Sequence, residues 1–253
     1  MPPSSPPAPN DPVQKMSEMY RWTRHVYDLS RRYYLLGRDQ MLEDIAEQPG
    51  GTVLEIGCGT ARNLRLLDER ALQHTLYGLD ASLSMLATAR EKLDCADCTE
   101  RITLGHGIAQ DLAPHDQLRT DGPFDIIFFS YVLSMIPDWP AALRAALKHL
   151  APNGHLYVVD FWDQANLPDW LATGLQRWLA LFDVYPHLDL VDTFHKLDDL
   201  DGLSSTVTPV ARRYAFRATL HPSGPLPAPA LEALDAATAP ESKRFDRPDI
   251  IPA

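Results

Sequence analysis

The sequence predicts one α/β domain with a mostly parallel seven-stranded sheet, helices on both faces, and an antiparallel hairpin at the C-terminal end of the domain. Three observations support this fold class. Short apolar runs alternate with helix-forming stretches over 39–161, as in parallel strands joined by crossover helices. The first apolar run leads into a glycine turn at Gly57, as in many α/β ligand sites. Strand-like composition over 204–220 is interrupted by Arg212-Arg213, which predicts a hairpin.

Each expected element rests on a local pattern. A continuous apolar run such as 124–131 is typical of a buried parallel strand. The first helix is expected to end at Pro49-Gly50-Gly51, because proline and glycine both interrupt helices. The helices are expected at 39–47, 62–72, 83–93, 141–150, 168–182 and 188–200, and the strands at 53–56, 75–80, 101–104, 124–131 and 154–161, before the hairpin at 204–220.

The two ends of the chain differ in composition from its middle. Residues 1–12 are rich in proline and serine, and 221–253 is rich in proline, alanine and charged residues. Such segments bury little apolar surface, so both are expected to be disordered tails, the second with a brief helix near 231–236. A single domain is expected over 13–220, since the 253 residues are too few for a second full one.

The overall charge and hydropathy exclude several classes of function. A net charge of −11 and a pI near 5.2 argue against general nucleic-acid binding, which normally leaves a basic surface. No apolar run approaches the ~20 residues that span a bilayer, and the start of the chain lacks the basic and apolar parts of a secretory signal. A cytoplasmic protein is expected, in contact with the inner face of a membrane at most peripherally.

The three cysteines do not form a recognisable metal or disulfide framework. Cys95 and Cys98 make a single C-x-x-C without a second pair, so neither zinc nor redox chemistry is expected. Cys58 lies inside the glycine turn, where it is interpreted as a small filler.

The glycine turn over 53–63 separates two classes of cofactor. Gly57 and Gly59 permit a sharp turn and a close backbone approach. In the dinucleotide pattern G-x-G-x-x-G the third glycine would fall at Arg62, but the next small residue is Ala61. Glu55 would repel a pyrophosphate and would suit a ligand that carries an ammonium group. Both departures favour S-adenosylmethionine (SAM).

This string resembles the first motif of class I SAM-dependent methyltransferases, with Ala61 in the place of the glycine that is common there. The resemblance implies a Rossmann-like methyltransferase fold and SAM as the cofactor. The turn residues Glu55, Gly57, Cys58 and Gly59 are then the expected first part of the SAM site.

Further along the chain, two positions complete the expected SAM site. Asp80 ends the second strand 23 residues past Gly57, near the distance at which an acid accepts the ribose hydroxyls, and Ala81 follows it. Where the resembling family has G-D-A beside the adenine, this chain has Gly107-Ile108-Ala109. Ile108 implies that adenine is held by backbone groups and apolar contact.

The carboxyl ends of the central strands carry the candidate reactive residues. Doubly wound sheets place reacting groups at this edge. Ser130 and Tyr131 at the end of the fourth strand, and Ser134 shortly after it, are therefore expected beside the cofactor. Asp160 and Phe161 end the next strand. No metal ligands with suitable spacing accompany them.

Further strings narrow the family. They are RHVYDLSRRYYLLGRD at 24–39, SYVLSMIPDW at 130–139, VDFWDQ at 159–164, LPDW at 167–170 and WLALF at 178–182. Together they resemble the bacterial N-methyltransferases of betaine-lipid synthesis, which trimethylate the amine of diacylglycerylhomoserine. The resemblance covers about 19–220.

The resemblance implies roles for individual residues. Methyl transfer to an amine requires alignment, exclusion of water and removal of a proton, which implies catalytic roles for Tyr131, Asp160 and Tyr27. Aromatic faces stabilise a quaternary ammonium, so Tyr33 and Phe161, with Ser134, are the expected substrate-binding residues.

The N-terminal segment 13–36 interleaves arginines with tyrosines and a tryptophan. Three interpretations stay open: packing on the domain, closing over the cofactor, and contact with lipid headgroups; a lipid substrate favours the last. If the segment closes over the cofactor, Arg38 becomes a partner for the cofactor carboxylate.

Three alternative functions remain at this point. The acceptor could be phosphatidylethanolamine or a soluble small molecule. A nicotinamide-dependent oxidoreductase is disfavoured by Glu55 and by the position of Ala61. A SAM-fold binding protein without activity fits the same residues.

Overall fold

A computed structural model describes residues 35–95, 101–180 and 184–237. Within them, residues from Gly37 onward form one compact unit. Its helices are α1 (Arg38–Ala46), α2 (Arg62–Arg70), α3 (Leu83–Cys95), α4 (Pro114–Leu118), α5 (Trp139–Lys148), α6 (Asp169–Ala180), α7 (Leu188–Asp198) and α8 (Ala228–Ala237). Its strands are β1 (Thr52–Ile56), β2 (Thr75–Asp80), β3 (Ile102–His106), β4 (Phe124–Ser130), β5 (Leu150–Phe161), β6 (Leu203–Val210) and β7 (Ala215–Pro222).

The seven strands form one sheet in the order β3-β2-β1-β4-β5-β7-β6. The first five strands are parallel, whereas β7 runs antiparallel to both β5 and β6. The chain moves outward from β1 to β3 and then returns to β4 beside β1, so the strand order reverses between β1 and β4. Right-handed crossovers in opposite directions place helices on opposite faces of the sheet. The expected fold class is confirmed.

The central strands form because their side chains are apolar on both faces. In β4 every residue except Asp125 is buried, as expected for a strand that is covered by helices on both sides. Large aromatic side chains fill the core around it, namely Phe124, Phe128, Phe129, Trp139, Phe194 and Phe216. The reversal between β1 and β4 opens a crevice at the carboxyl edge of this buried sheet, where α/β proteins bind ligands.

The domain extends beyond the end expected from the sequence. The tail was expected to begin at residue 221, but β7 continues to Pro222 and α8 packs against α5 and α7. Ala230 and Leu234 of α8 are fully buried. The segment looked like a tail because its proline and alanine content hides one short apolar stripe.

Other expectations lie outside the described residues. They concern the tail at 1–12, residues 13–34 of the helix expected at 13–36, and the segment 238–253. Across the parts of the chain that the structure describes, no helix is long and apolar enough to cross a membrane.

Candidate active site

The turn after β1 is shaped by two glycines with left-handed backbone. Gly57 has φ 77° and Gly59 has φ 55°, a region that side chains disfavour. The amides of Gly57 and Cys58 both donate to the carbonyl of Leu79, at 2.7 and 3.0 Å. A Cβ on Gly57 would collide with the side chain of Val132. The turn is therefore held tightly between β2 and the segment after β4.

Ala61 also adopts left-handed backbone, with φ 56°, and it immediately precedes α2. This conformation costs an alanine roughly 1–2 kcal/mol. The geometry explains why glycine is common at this place in the resembling family. The turn therefore tolerates alanine at this position, whereas a side chain at Gly57 would collide with Val132.

Glu55 places a buried carboxylate directly before the turn. Its Oε1 accepts a hydrogen bond from Nδ2 of Asn63 in α2, at 2.7 Å. A buried carboxylate is stable only with partners, and an ammonium group of a ligand at the turn would be a strong one.

Asp80 joins the turn to the end of β2. One carboxylate oxygen accepts from the amide of Gly59 at 2.7 Å, and the other accepts from the amide of Ser82 at 2.8 Å. Each oxygen has a further lone pair. Asp80 therefore braces the turn, a role that sequence reasoning did not assign, and keeps capacity to accept the predicted ribose hydroxyls.

The segment after β3 lies against the same edge. The amide of Gly107 donates to the carbonyl of Asp80 at 3.1 Å. Ile108 is 48% exposed, whereas Ala109 is buried. An exposed apolar side chain beside Asp80 and the exposed Ala81 fits one face of a planar base.

These residues fit SAM as a group. Glu55 would bind the amino group of SAM, and the Gly57–Gly59 turn would let SAM lie close to the backbone. Asp80 would accept hydrogen bonds from the ribose, and Ile108 would contact the adenine.

The thiol of Cys58 is inert in this setting. Burial raises its pKa well above its ordinary value, and the carboxylates of Glu55 and Asp80 raise it further. The protonated thiol is a small filler of the turn, as interpreted from the sequence. The described residues include no group of acids, histidines and cysteines that could hold a metal ion.

The carboxyl ends of β4 and β5 bring two aromatic rings together. Tyr131 follows β4 with φ 56°, and its amide donates to the carbonyl of Val159 at 2.8 Å. Its ring lies edge-on to that of Phe161, with the centroids 4.7 Å apart. Oγ of Ser130 is buried beside them and has no hydrogen-bond partner within the described ranges. Strained backbone and an unpaired hydroxyl at this edge are typical of a functional site.

Asp160 is fully buried at the end of β5. Its carboxylate accepts from the amide of Ser134 at 3.0 Å and from the amide of Phe161 at 2.7 Å. Burial raises the pKa of Asp160 to about 6, although hydrogen bonds from Ser134 and from the backbone favour the charged form. A carboxyl group that titrates near neutrality can hold or release a proton.

Arg38 lies at the start of α1, toward the same edge of the sheet. The preceding residue, Gly37, lies against the side chain of Val210 at the end of β6. Val210 pairs with Ala215 of β7, and Ala215 pairs in turn with Phe161 of β5. The guanidinium of Arg38 is buried and donates to Oδ1 of Asp39 at 3.1 Å. Binding of the cofactor carboxylate by Arg38 stays a prediction.

Two of the expected catalytic and substrate-binding residues, Tyr27 and Tyr33, lie outside the described residues. Conversely, the structure adds Gln164 and Tyr214, which sequence reasoning did not single out. Gln164 is the last residue of the string VDFWDQ, which carries the family resemblance. Tyr214 directly follows Arg212-Arg213, which indicates the hairpin turn.

Comparisons with known proteins identify the family of the chain. A family model described as a methyltransferase domain matches residues 27–201. A demethylmenaquinone methyltransferase of Listeria welshimeri is 30% identical over 158 residues, which cover 62% of this chain and 63% of that protein. An arsenite methyltransferase of Aquipseudomonas alcaligenes is 32% identical over 148 residues, covering 56% of this chain and 40% of that protein. The chain thus spans less than two thirds of the length of these relatives.

Among solved structures, a SAM-dependent methyltransferase from Aquifex aeolicus has the same fold, with a TM-score of 0.56 and 18% identity over 78% of this chain and 97% of that one. The family model and this fold imply SAM as the cofactor. The chain belongs to the family of SAM-dependent methyltransferase domains.

Proposed function

We propose that this chain transfers methyl groups from SAM to the amine of diacylglycerylhomoserine. One observation carries the proposal: buried Asp160 directly precedes Phe161 at the end of β5, and the ring of Phe161 contacts that of Tyr131. An acid that titrates near neutrality beside aromatic faces suits an acceptor that begins as a protonated amine and ends as a quaternary ammonium. The strings at 130–139 and 159–164, which resemble betaine-lipid methyltransferases, lie at this same edge.

The residues of the chain would divide the work between alignment and proton transfer. Bound SAM supplies an electrophilic methyl group on a sulfonium. Glu55 holds a negative charge at the cofactor turn. Above pH 6 the carboxylate of Asp160 is charged and can accept a proton from the incoming ammonium at one of its oxygens, which leaves a nucleophilic lone pair on the nitrogen.

The aromatic pair would bind the charged products. Each methylation brings the nitrogen closer to a fixed positive charge, and ring faces such as those of Tyr131 and Phe161 stabilise such cations by about 0.5–2 kcal/mol each. Their burial excludes water, which strengthens this attraction. Successive methylations at one site would follow, because the same pair can bind every intermediate.

Labelled SAM tests the proposal directly. Purified full-length protein is incubated with a bacterial lipid extract that contains diacylglycerylhomoserine, and the lipid classes are separated. We expect label in its mono-, di- and trimethylated forms. If the label appears in phosphatidylethanolamine derivatives or in the aqueous phase, the acceptor is a different molecule and the proposal is wrong. If SAM binds but no product is labelled, the protein binds SAM without methylating any component of the extract.

Peripheral membrane contact is part of the proposal, since a diacyl substrate must be reached from the headgroup layer. The basic and aromatic segment 13–36 supports it by composition. In the described part of the chain, α6 presents Trp170 at 77% exposure together with exposed Leu171, and tryptophan favours the membrane interface.

Vesicle co-sedimentation tests each segment in the full chain. We expect Trp170→Gln to weaken binding through α6, and the double variant Arg31→Gln/Arg32→Gln to weaken binding to anionic vesicles in a salt-dependent way. Binding equal to that of the unmodified chain would remove the corresponding segment from the proposal.

A further inference from the structure

The side-chain amide of Gln164 is an unpaired polar group in a buried place. Gln164 is 1% exposed and has φ 58°. Neither Nε2 nor Oε1 has a hydrogen-bond partner within 35–95, 101–180 and 184–237. Burying an unpaired amide is destabilising, and strained backbone adds to the cost. Such a group at the carboxyl edge of the sheet points to a ligand.

A second unpaired group belongs to Tyr214, the residue before β7. The hydroxyl of Tyr214 is buried and lacks a hydrogen-bond partner in the same described ranges. The ring of Tyr214 lies 5.7 Å from that of Phe161, which in turn contacts Tyr131. Burial raises the pKa of the Tyr214 hydroxyl, so this group stays protonated and is available to donate.

The turn between β6 and β7 fixes both residues. Arg213 in this turn donates to both carboxylate oxygens of Asp163, with its Nε 2.9 Å from Oδ1, and its guanidinium lies 4.3 Å above the ring of Trp162. The amide of Gln164 donates to the carbonyl of Arg213 at 2.9 Å. Gln164 is therefore tied through its backbone to Arg213, the residue that directly precedes Tyr214.

The position of this pair separates it from the cofactor turn. Gln164 follows β5, and β5 is two strands from β1 in the sheet. Neighbouring strands are about 4.8 Å apart, so the end of β5 lies on the order of 10 Å from the end of β1. Glu55 and the cofactor turn belong to β1 and to the segment directly after it, so Gln164 after β5 and Tyr214 before β7 lie away from the cofactor turn, toward Phe161.

We propose that Gln164 and Tyr214 bind the amino-acid head of the acceptor. Nε2 of Gln164 and the hydroxyl of Tyr214 donate to the carboxylate of the acceptor, and Oε1 of Gln164 accepts from its amine. An amide offers both a donor and an acceptor, which matches the two halves of an amino acid. This specificity rests on the proposed function, and it selects amines that carry a neighbouring carboxylate over amines that do not.

The test compares two acceptors in the same detergent micelles: diacylglycerylhomoserine, and phosphatidylethanolamine, whose amine has no neighbouring carboxylate. For Gln164→Leu we expect KM for diacylglycerylhomoserine to rise about 10- to 100-fold through lost hydrogen bonds to a charged group. The Kd for SAM, measured by calorimetry, stays within about twofold, because Gln164 is remote from β1. Tyr214→Phe raises the same KM by about three- to tenfold.

Two further variants make the result specific. Gln164→Glu keeps the shape of the side chain but places a carboxylate against the carboxylate of the acceptor. Of the variants, it therefore raises the KM for diacylglycerylhomoserine most. Its activity on phosphatidylethanolamine, relative to that on diacylglycerylhomoserine, should increase. Gln40→Leu is the matched control, since Gln40 is exposed on α1, and leaves both acceptors unaffected.

The outcomes distinguish the two proposals. Unchanged KM values in Gln164→Leu, with SAM binding intact, overturn the role of Gln164 alone. Wild-type protein that methylates no diacylglycerylhomoserine overturns the proposed function and this inference together. Failure of both Gln164→Leu and Gln164→Glu to fold assigns the amide to stability and also overturns the inference.

Discussion

At the residue scale, Gly57 is the position where the cofactor turn tolerates least change. We expect Gly57→Ala to destabilise the domain by about 2–4 kcal/mol, because it adds left-handed strain and a collision with Val132. SAM affinity falls with it, since the backbone can no longer approach the ligand. Chemical denaturation and calorimetry measure both effects.

Gly122→Ala is the matched control for this prediction. Gly122 has open space around its Cβ position and no left-handed backbone, so the same added methyl group changes the free energy of unfolding by less than about 1 kcal/mol. Equal effects of the two variants would contradict the argument from Val132.

Asp160 makes stability depend on pH in a direction opposite to that of most carboxylates. Its pKa is about 6 in the folded protein and 3.8 by ordinary reference, so folding favours the protonated form. The stabilising contribution is complete below pH 4 and is lost as the pH rises through 6. Relative to Asp160→Asn, the unmodified protein should lose about 2 kcal/mol of unfolding free energy between pH 4 and 7.

Urea denaturation at several pH values measures this difference. Asp160→Asn changes the hydrogen bonds with Ser134 and Phe161 equally at every pH, so only the pH-dependent part is attributed to ionisation. Parallel stability curves for the two proteins would contradict the raised pKa. If Asp160 accepts the proton of the acceptor amine, kcat/KM should rise as the pH increases through 6 in the unmodified enzyme and should not do so in Asp160→Asn.

At the element scale, α8 belongs to the core of the domain rather than to a tail. Leu234 of α8 is 0% exposed, and we expect Leu234→Ala to cost about 2–4 kcal/mol through lost burial and a cavity. Leu72, at 68% exposure, is the control, and its change to Ala should cost less than about 0.5 kcal/mol. Thermal and urea unfolding measure the loss of unfolding free energy in both variants. Equal losses would mean that α8 does not contribute to the core.

At the scale of the whole molecule, cofactor binding should stabilise the folded domain selectively. SAM at about 100 times its Kd adds about 2.7 kcal/mol, which raises the melting temperature of a domain of this size by roughly 5–10 °C. NADH should leave it unchanged, because the Gly57 turn and Glu55 disfavour a pyrophosphate. Differential scanning fluorimetry measures both, and a shift with NADH alone would contradict the choice of cofactor.

Much of the architecture was predictable from the sequence because its causes are local. The apolar run of β4, the breakers Pro49-Gly50-Gly51 and the interrupted hairpin at 204–220 each identify an element by its own residues. The glycine turn was predictable for the same reason, since Gly57 and Gly59 are required by backbone conformation at those positions. The boundary at residue 220 was wrong because α8 is stabilised by helices α5 and α7, far away in the chain.

The sequence by itself determined the seven strands, most of the helices between them and the kind of cofactor turn, since these follow from the spacing of apolar residues and glycines. Only the tertiary structure decided that Asp80 braces Gly59, that burial raises the pKa of Asp160, and that Gln164 and Tyr214 are buried without partners. Those properties depend on which distant segments exclude water from a group, and no local pattern in the chain records that.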